Sequence, residues 1–424
     1  MTLPASWLPI APDSDFPLHN LPFGIFSTGS EQPRVGVAVG DYIIDMQAAA
    51  QLGIFSKAGV AVSVFAQPTL NDLMALGRAC AQRLRILLQK QLTQHDSALH
   101  RAADRVLVRQ ANAHLHLPVA IGDYTDFYSS LEHATNVGKL FRPDNPLLPN
   151  WKHLPIAYHG RASSVVVSGT PIHRPHGQIL PPGAGSPIFS PSQALDYELE
   201  LGFIIGKNSK VGVPVSAEDA EEYVFGCVLF NDWSARDIQR WEYQPLGPFL
   251  SKNFASSMSP WVVTLDALEA FRVAGPKQNP VPLPYLQTSG ALNFDLNLEV
   301  GILPPGSSET TVCRTNARYL YWNIRQQLAH HTVSGCNLRV GDLLATGTIS
   351  GPADQPGPSS GCLLELTEGG KKPIQLADGS ERTYLRDGDE VVMRGYAGRG
   401  EQRVGFGEVR GTILPTPPFG HPSR

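Results

Sequence analysis

Two glutamates set two residues apart, Glu198 and Glu200, carry the first chemical signal in this chain. They lie in Asp196-Tyr197-Glu198-Leu199-Glu200-Leu201-Gly202-Phe203-Ile204-Ile205-Gly206, which alternates polar and apolar residues. In an extended strand, side chains at i and i+2 leave the same face. Glu198 and Glu200 therefore share one face, and Tyr197, Leu199, Leu201 and Phe203 share the other. Two carboxylates roughly 7 Å apart along a strand raise each other's cost of ionisation unless a cation lies between them. Mg²⁺ and Ca²⁺ take such oxygen ligands. The same pattern also suits an amphipathic strand with its glutamates in water. Only further ligands from elsewhere in the chain decide for a metal.

Other candidates are spread along the sequence. Asp126 and Tyr128 again stand two apart, in a Tyr-Thr-Asp-Phe-Tyr cluster that reads equally as strand or turn. Leu131 to Gly138 is helical in pattern, ends at Gly138 and carries His133; a lone histidine of this kind commonly sits at a surface or satisfied in a core. Val224 to Phe230 is an unbroken apolar run, hence a buried strand, and it delivers Asp232. From Asp232 the spacing predicts a helix in which Arg236, Gln239 and Tyr243 follow Asp232 on one face. A solvated Asp–Arg pair four residues apart is the plainer alternative. Lys252 is flanked by apolar residues, which is unusual for a solvated lysine. Glu365 interrupts what reads as an apolar strand, Cys362 to Thr367, and an unpartnered carboxylate there is costly. Glu365 therefore needs a partner.

The elements that must position these groups are mostly strands and loops. The 424 residues exceed one typical core, so two domains are expected. Thirty-six prolines and forty glycines imply many turns rather than long helices. Residues 1–118 read as a small first domain with short strands at 23–27 and 34–45 and helical spacing at 70–77 and 79–92. It shows no chemical constellation, and packing is its expected role. Residues 119–424 form the second domain, β-rich over 261–299 and 340–409. Within it, 142–162 and 171–191 are proline-rich loops. A short helix is expected at 216–220, with Ser216 as its cap, and the tail 415–422 reads as an extended arm.

Bulk properties exclude several classes. A net charge of −4 without a long basic run gives no electrostatic case for nucleic acid. No apolar run reaches about 18 residues, so no membrane span is expected. The N-terminus lacks a basic region followed by an apolar core and is read as carrying no secretory signal. Five cysteines, none closer to the next than 23 residues, form neither a CxxC nor a zinc pattern. This odd, sparse set points to a reducing compartment, the cytoplasm.

Taken in order, several segments resemble the fumarylacetoacetate hydrolase family. They are Asp126-Phe127-Tyr128, His133-Ala134-Thr135-Asn136-Val137-Gly138, Phe141-Arg142-Pro143, Ala157-Tyr158-His159-Gly160-Arg161 and Asp196 to Glu200. Asn231-Asp232-Trp233-Ser234-Ala235-Arg236-Asp237-Ile238-Gln239, Lys252-Asn253-Phe254 and Gly347-Thr348-Ile349-Ser350-Gly351 complete the series. Each is a weak signal alone; the ordered set is specific. The resemblance implies a mainly β fold with some α: a small N-terminal SH3-like barrel and a large mixed β-sandwich roll, assembled as a homodimer. It implies one divalent cation, Mg²⁺ or Ca²⁺, held by Asp126, Glu198, Glu200 and Asp232. It implies His133 as general base, held by Glu365, and Arg236, Gln239 and Lys252 as oxyanion stabilisers. Tyr128, Arg142, Tyr158, Tyr243 and Thr348 would bind the carboxylates and carbonyls of the substrate. Lys252 and Ser256 would touch a second, structural ion, although this chain has Ala255-Ser256 where the resemblance implies Gly-Thr.

The implied reaction is hydrolysis of a carbon–carbon bond in a small β-diketo acid, giving fumarate and acetoacetate, the last step of tyrosine and phenylalanine breakdown. An imidazole titrates near the working pH and suits the activation of water. Two other readings remain at this point. A different superfamily activity, such as an acylpyruvate hydrolase, oxo-acid decarboxylase or hydratase, would keep Glu198, Glu200 and Asp232 but need not keep His133 with Glu365. A non-enzymatic Ca²⁺ module would keep the carboxylates and tolerate loss of His133, Arg236 and Gln239.

Overall fold

The structure is a computed structural model and describes residues 4–419. The first part of the chain builds β1 (Phe23–Ser27), β2 (Arg34–Val39), β3 (Tyr42–Asp45), helix α1 (Arg78–Thr93), β4 (Leu107–Arg109) and β5 (His114–His116). The strands pair antiparallel in the order β5–β1–β2–β3–β4. A short 3₁₀ turn, Gln110–Asn112, joins the two outer strands. Among the described residues no ladder closes β4 onto β5, so the unit is an open five-stranded sheet and not a closed barrel. α1 buries Cys80, Ala81, Leu84, Leu88 and Leu92, the one-sided spacing of an amphipathic helix.

The rest of the chain continues the same sheet and adds a second. In chain order its elements are β6 (Tyr124–Phe127), α2 (Leu131–Phe141), β7 (Ala157–His159), β8 (Leu199–Ile205), β9 (Val224–Asp232), α3 (Arg236–Glu242), β10 (Ser256–Met258) and β11 (Trp261–Thr264). Then come β12 (Asn297–Leu303), β13 (Thr310–Asn316), β14 (Leu343–Ala345), α4 (Leu363–Leu366), β15 (Glu390–Ala397) and β16 (Val404–Leu414). The main sheet runs β4–β3–β2–β1–β11–β9–β8–β14–β6–β7, with β10 beside β9. The second runs β13–β12–β15–β16, with the two-residue strand Ile172–His173 parallel to β16 at its edge.

The period-two pattern of β8 fixes what covers each face. Leu199, Leu201 and Phe203 pack with Cys227 and Leu229 against Leu298, Val300, Ile302 and Met393 of the second sheet. Ile204, Val228, Phe230 and Leu343 pack on the opposite side into one core with Phe23, Val37 and Leu84. The first domain is thus a lid of apolar side chains over the face that also carries Glu198 and Glu200. A one-residue slip of β8 would drive both glutamates into the inter-sheet core, at a cost of several kcal/mol each.

Four local expectations are corrected. The helix expected from Asp232 starts at Arg236, because β9 pairs on through Asp232, opposite Ser256. Glu365 sits on one turn of helix, Leu363–Leu366, not on a strand. α2 does not stop at Gly138 but runs to Phe141; a Cβ at Gly138 would lie 2.1 Å from the Pro146 carbonyl oxygen, so this glycine is there for close approach of the following loop. Residues 217–219 form a turn that leads into a 3₁₀ helix, Ala220–Tyr223, with the Ser216 hydroxyl accepting the Asp219 amide. Of the expected tail arm, 415–419 is non-regular and 420–422 lies outside the described residues.

Candidate active site

Neighbouring strand ends bring four carboxylates together. Asp126 is in β6, opposite Ala345 of β14. β14 pairs with β8, which Glu198 just precedes and in which Glu200 is the second residue, and β8 pairs with β9, which ends on Asp232. One carboxylate oxygen from each of Asp126, Glu198, Glu200 and Asp232 lies within 4.8 Å of the others. All four residues are buried. The alternative of two glutamates in water is overturned: Glu198 is 5% and Glu200 0% exposed.

Cations and donors reach this pit from one side. Lys252 Nζ bonds to Glu198 and, at 3.1 Å, to Asp232. Arg236 Nη1 lies 2.8 Å from Glu198 Oε1, and its Nε donates to Asp196 Oδ2 at 2.9 Å. Tyr158 Oη and Ser256 Oγ donate to Asp232 at 2.7 and 2.8 Å. Gly347 N donates to Glu200 Oε2 at 3.0 Å. Burial acts upward on Glu198, yet Lys252 and Arg236 outweigh it and hold its carboxyl far below the usual range. The other three are pushed the opposite way. Burial, and then the charge of Asp232, raises Asp126 well above the usual range; burial, then Asp126 and Glu198, does the same to Glu200. Burial also raises Asp232, against the pull of Lys252.

These residues fit a divalent cation. Asp126 Oδ1 and Glu200 Oε1 are buried without a hydrogen-bond partner, a costly state that a cation relieves. Two cations, Lys252 and Arg236, face five carboxylates once Asp196 is counted. A divalent ion brings that group within one charge of neutrality. The donors are all oxygen, as hard cations require.

Beside the pit stands a second constellation. Ser130 caps α2 by accepting the amide of His133 at 3.2 Å, which fixes His133 in the first turn. Its ring Nδ1 lies 2.6 Å from Glu365 Oε1. Glu365 is held in turn by Ser350 Oγ at 2.7 Å and Asn136 Nδ2 at 2.9 Å. Burial acts against its charge, but the His133 contact and these donors keep its carboxyl below the usual range, so it is ionised. The partner that the sequence demanded for Glu365 is His133.

Both constellations open on one cavity of about 480 Å³. Asp126, Tyr128, His133, Arg142, Tyr158, Glu198, Arg236, Gln239, Tyr243, Lys252 and Thr348 all line it, with an apolar wall that includes Val137, Leu147, Trp151 and Leu364. Arg236 Nη2 and Thr348 Oγ1 are buried without partners. Arg142 and Tyr243 are exposed and stand at the mouth. Gln239 accepts from Arg236 Nη1 at 3.1 Å, leaving its amide nitrogen for a ligand. Lys252 and Ser256, expected at a second ion, are both turned onto Asp232.

Three contributors carried no assigned role in the sequence. Asp196 was visible in its motif, but its grip on Arg236, 40 residues away, follows from tertiary pairing alone. Asn136 follows His133 by one helical turn, a spacing that puts both on one face and could have found it. Ser350 gives no signal of its own.

Buried carboxylates at strand ends and an imidazole–carboxylate pair, sharing one cavity, define an enzyme with a place for a divalent cation. The comparisons with known proteins agree on which one. Residues 123–414 match the model described as fumarylacetoacetate hydrolase C-terminal, and residues 19–118 match fumarylacetoacetase N-terminal. The chain is 51% identical to the fumarylacetoacetase of Homo sapiens, over 97% of this chain and 99% of the relative. It is 47% identical to that of Arabidopsis thaliana, over 99% and 100%. A solved fumarylacetoacetate hydrolase from Exiguobacterium antarcticum shares the fold, with a TM-score of 0.52 and 18% identity over 93% of this chain and 99% of the other. The chain belongs to the fumarylacetoacetate hydrolase family.

Proposed function

We propose that this chain hydrolyses 4-fumarylacetoacetate to fumarate and acetoacetate, closing the breakdown of tyrosine and phenylalanine. The observation that carries this reading is the His133–Glu365 pair, 2.6 Å apart, with His133 lining the same cavity as Asp126 and Glu198 of the carboxylate set. Identity near half to fumarylacetoacetases from animals and plants, over nearly the full length, supports it.

Water is the nucleophile, and His133 takes its proton on the ring nitrogen that Glu365 does not hold. Glu365 fixes the tautomer and stabilises the imidazolium that forms. Attack on the carbonyl carbon places negative charge on its oxygen. Arg236, Gln239 and Lys252 are the donors for that charge, preorganised by Asp196 and Glu198 so that little reorganisation accompanies the step. The carbon–carbon bond then breaks with its electron pair on the departing carbon, and His133 returns the proton. Asp126, Glu198, Glu200 and Asp232 would hold one Mg²⁺ or Ca²⁺, and the chemistry such an ion supplies is Lewis-acid polarisation of the diketone oxygens. Tyr128, Thr348 and the mouth residues Arg142 and Tyr243 bind the carboxylates and carbonyls of the substrate. Tyr158 reaches the substrate from its bond to Asp232.

We read residues 1–118 as a variant of the SH3-like barrel left open between β4 and β5, and residues 119–424 as the catalytic roll. The working form is a cytoplasmic homodimer, and its five cysteines are unpaired. The test follows absorbance of fumarylacetoacetate with and without chelator. Substrate loss that stops on chelation and returns with Mg²⁺ or Ca²⁺ is expected. No loss under any metal condition rejects the reaction.

A further inference from the structure

Behind the imidazole of His133 lies a thiol that the hydrolytic reading does not use. Cys362 is the residue just before α4, fully buried, and its Sγ lies 3.3 Å from Glu365 Oε1. His133 Nδ1 lies 2.6 Å from that same oxygen. A nitrogen, a sulfur and a carboxylate oxygen, one each from His133, Cys362 and Glu365, fall within 4.8 Å of one another. This donor set differs in kind from the all-oxygen pit. Imidazole and thiolate select thiophilic ions over Mg²⁺ and Ca²⁺.

We propose that His133, Cys362 and Glu365 form a second metal site, selective for Zn²⁺ and chemically similar thiophilic ions, whose occupation shuts the enzyme off. The geometry needs little adjustment. Around a tetrahedral zinc, a nitrogen and an oxygen ligand stand about 3.3 Å apart, and a sulfur and an oxygen about 3.5 Å. The Sγ–Oε1 spacing is already close to that, and the Nδ1–Oε1 pair must open by about 0.7 Å. His133 and Leu364 line the cavity, so an ion arrives from the substrate side. The fourth position stays open to water, as in three-ligand zinc sites.

Inhibition follows from the proton balance. In the metal-free protein Nδ1 carries the ring proton toward Glu365, and burial keeps the Cys362 thiol protonated. On binding, the thiol loses its proton to solvent and forms a bond to the ion. The ion takes the lone pair of Nδ1, and the ring proton moves to Nε2, the nitrogen that accepts from water in the hydrolytic reading. The base is thereby blocked. A buried site carrying one negative charge becomes neutral, which favours occupation.

The inhibitory part rests on the hydrolase reading; the site does not, and two experiments separate them. Co²⁺ added to full-length protein saturated with Mg²⁺ is expected to give the near-ultraviolet thiolate-to-cobalt charge-transfer band, lost in Cys362→Ser. Absence of the band in the unaltered protein overturns the site whatever the enzyme does. Zn²⁺ titrated against turnover in excess Mg²⁺ is expected to inhibit, and Cys362→Ser, scored against its own zinc-free rate, to need at least about 10-fold more. Equal sensitivity of the two proteins overturns the inhibitory role. If Cys362→Ser fails to fold, proton release decides: about one proton per Zn²⁺ supports the site, and none overturns it.

Discussion

Asp232 shows most clearly how one residue carries several duties. It accepts from Lys252, Tyr158 and Ser256, and it completes the carboxylate set. Asp232→Ala is expected to lower bound metal from about one ion per chain to near zero by elemental analysis, and to abolish turnover. Wild-type metal content in that variant would remove Asp232 from the ligand set. At this scale much was legible. Residue types and the two-residue spacing pointed to Glu198 and Glu200, and the cost of a lone carboxylate in an apolar segment demanded a partner for Glu365. The identity of that partner, and the convergence of Asp126 and Asp232, came from the family resemblance. No local pattern specifies a contact between residues 133 and 365. Ser350 stayed invisible for the same reason, since a hydroxyl announces a hydrogen bond only once its neighbour is known.

Elements were read well where periodicity was strong and poorly at their ends. The alternation of β8 and the apolar run of β9 both stand in the structure. The boundary between β9 and α3 was misplaced, because an aspartate before a helical pattern is also a good cap. Pairing with β10 extends the strand instead, and only the tertiary register shows that. The turn after β14 is where an element shapes the site most directly. Gly347 has φ of +75°, and a Cβ there would lie 2.1 Å from the Phe127 carbonyl oxygen. Its amide also holds Glu200. Gly347→Ala is expected to cost about 2–4 kcal/mol in denaturant unfolding and to weaken metal binding. Gly290 also has a positive φ, +98°, but nothing within 4 Å of its would-be Cβ. Gly290→Ala should cost only about 1 kcal/mol and leave metal binding unchanged. Equal effects of the two would mean that the tight approach at Gly347 is unimportant.

For the whole molecule, the first domain is not an appendage. Its core is continuous with one face of the main sheet, the face on which the carboxylate pit opens. The sequence showed a unit with no chemistry of its own; that it packs on the face of the main sheet that carries the glutamates depends on contacts across the chain. The burial of the carboxylates has a pH signature. Asp126, Glu200 and Asp232 have folded pKa values raised above their unfolded ones. The metal-free folded state therefore holds protons on these three groups that the unfolded chain releases, and their contribution to stability falls as pH rises above about 4–5. Metal binding needs the ionised forms, so the rise in Tm on adding Mg²⁺ or Ca²⁺ should grow with pH. At 100 times Kd the gain is about 2.7 kcal/mol, or about 3 °C for a chain of this length. A metal-induced shift that is the same at every pH would contradict this picture. No helix among the described residues is long and apolar enough to cross a membrane.

The central claim is that the imidazole held by Glu365 takes the proton of the attacking water, beside a cation pit that functions independently of it. Its most direct test is turnover of fumarylacetoacetate by His133→Ala with metal content measured on the same sample. The account predicts full metal loading and a rate lower by about 10²–10⁴-fold. A metal-loaded, folded His133→Ala protein that hydrolyses the substrate at the wild-type rate would contradict it.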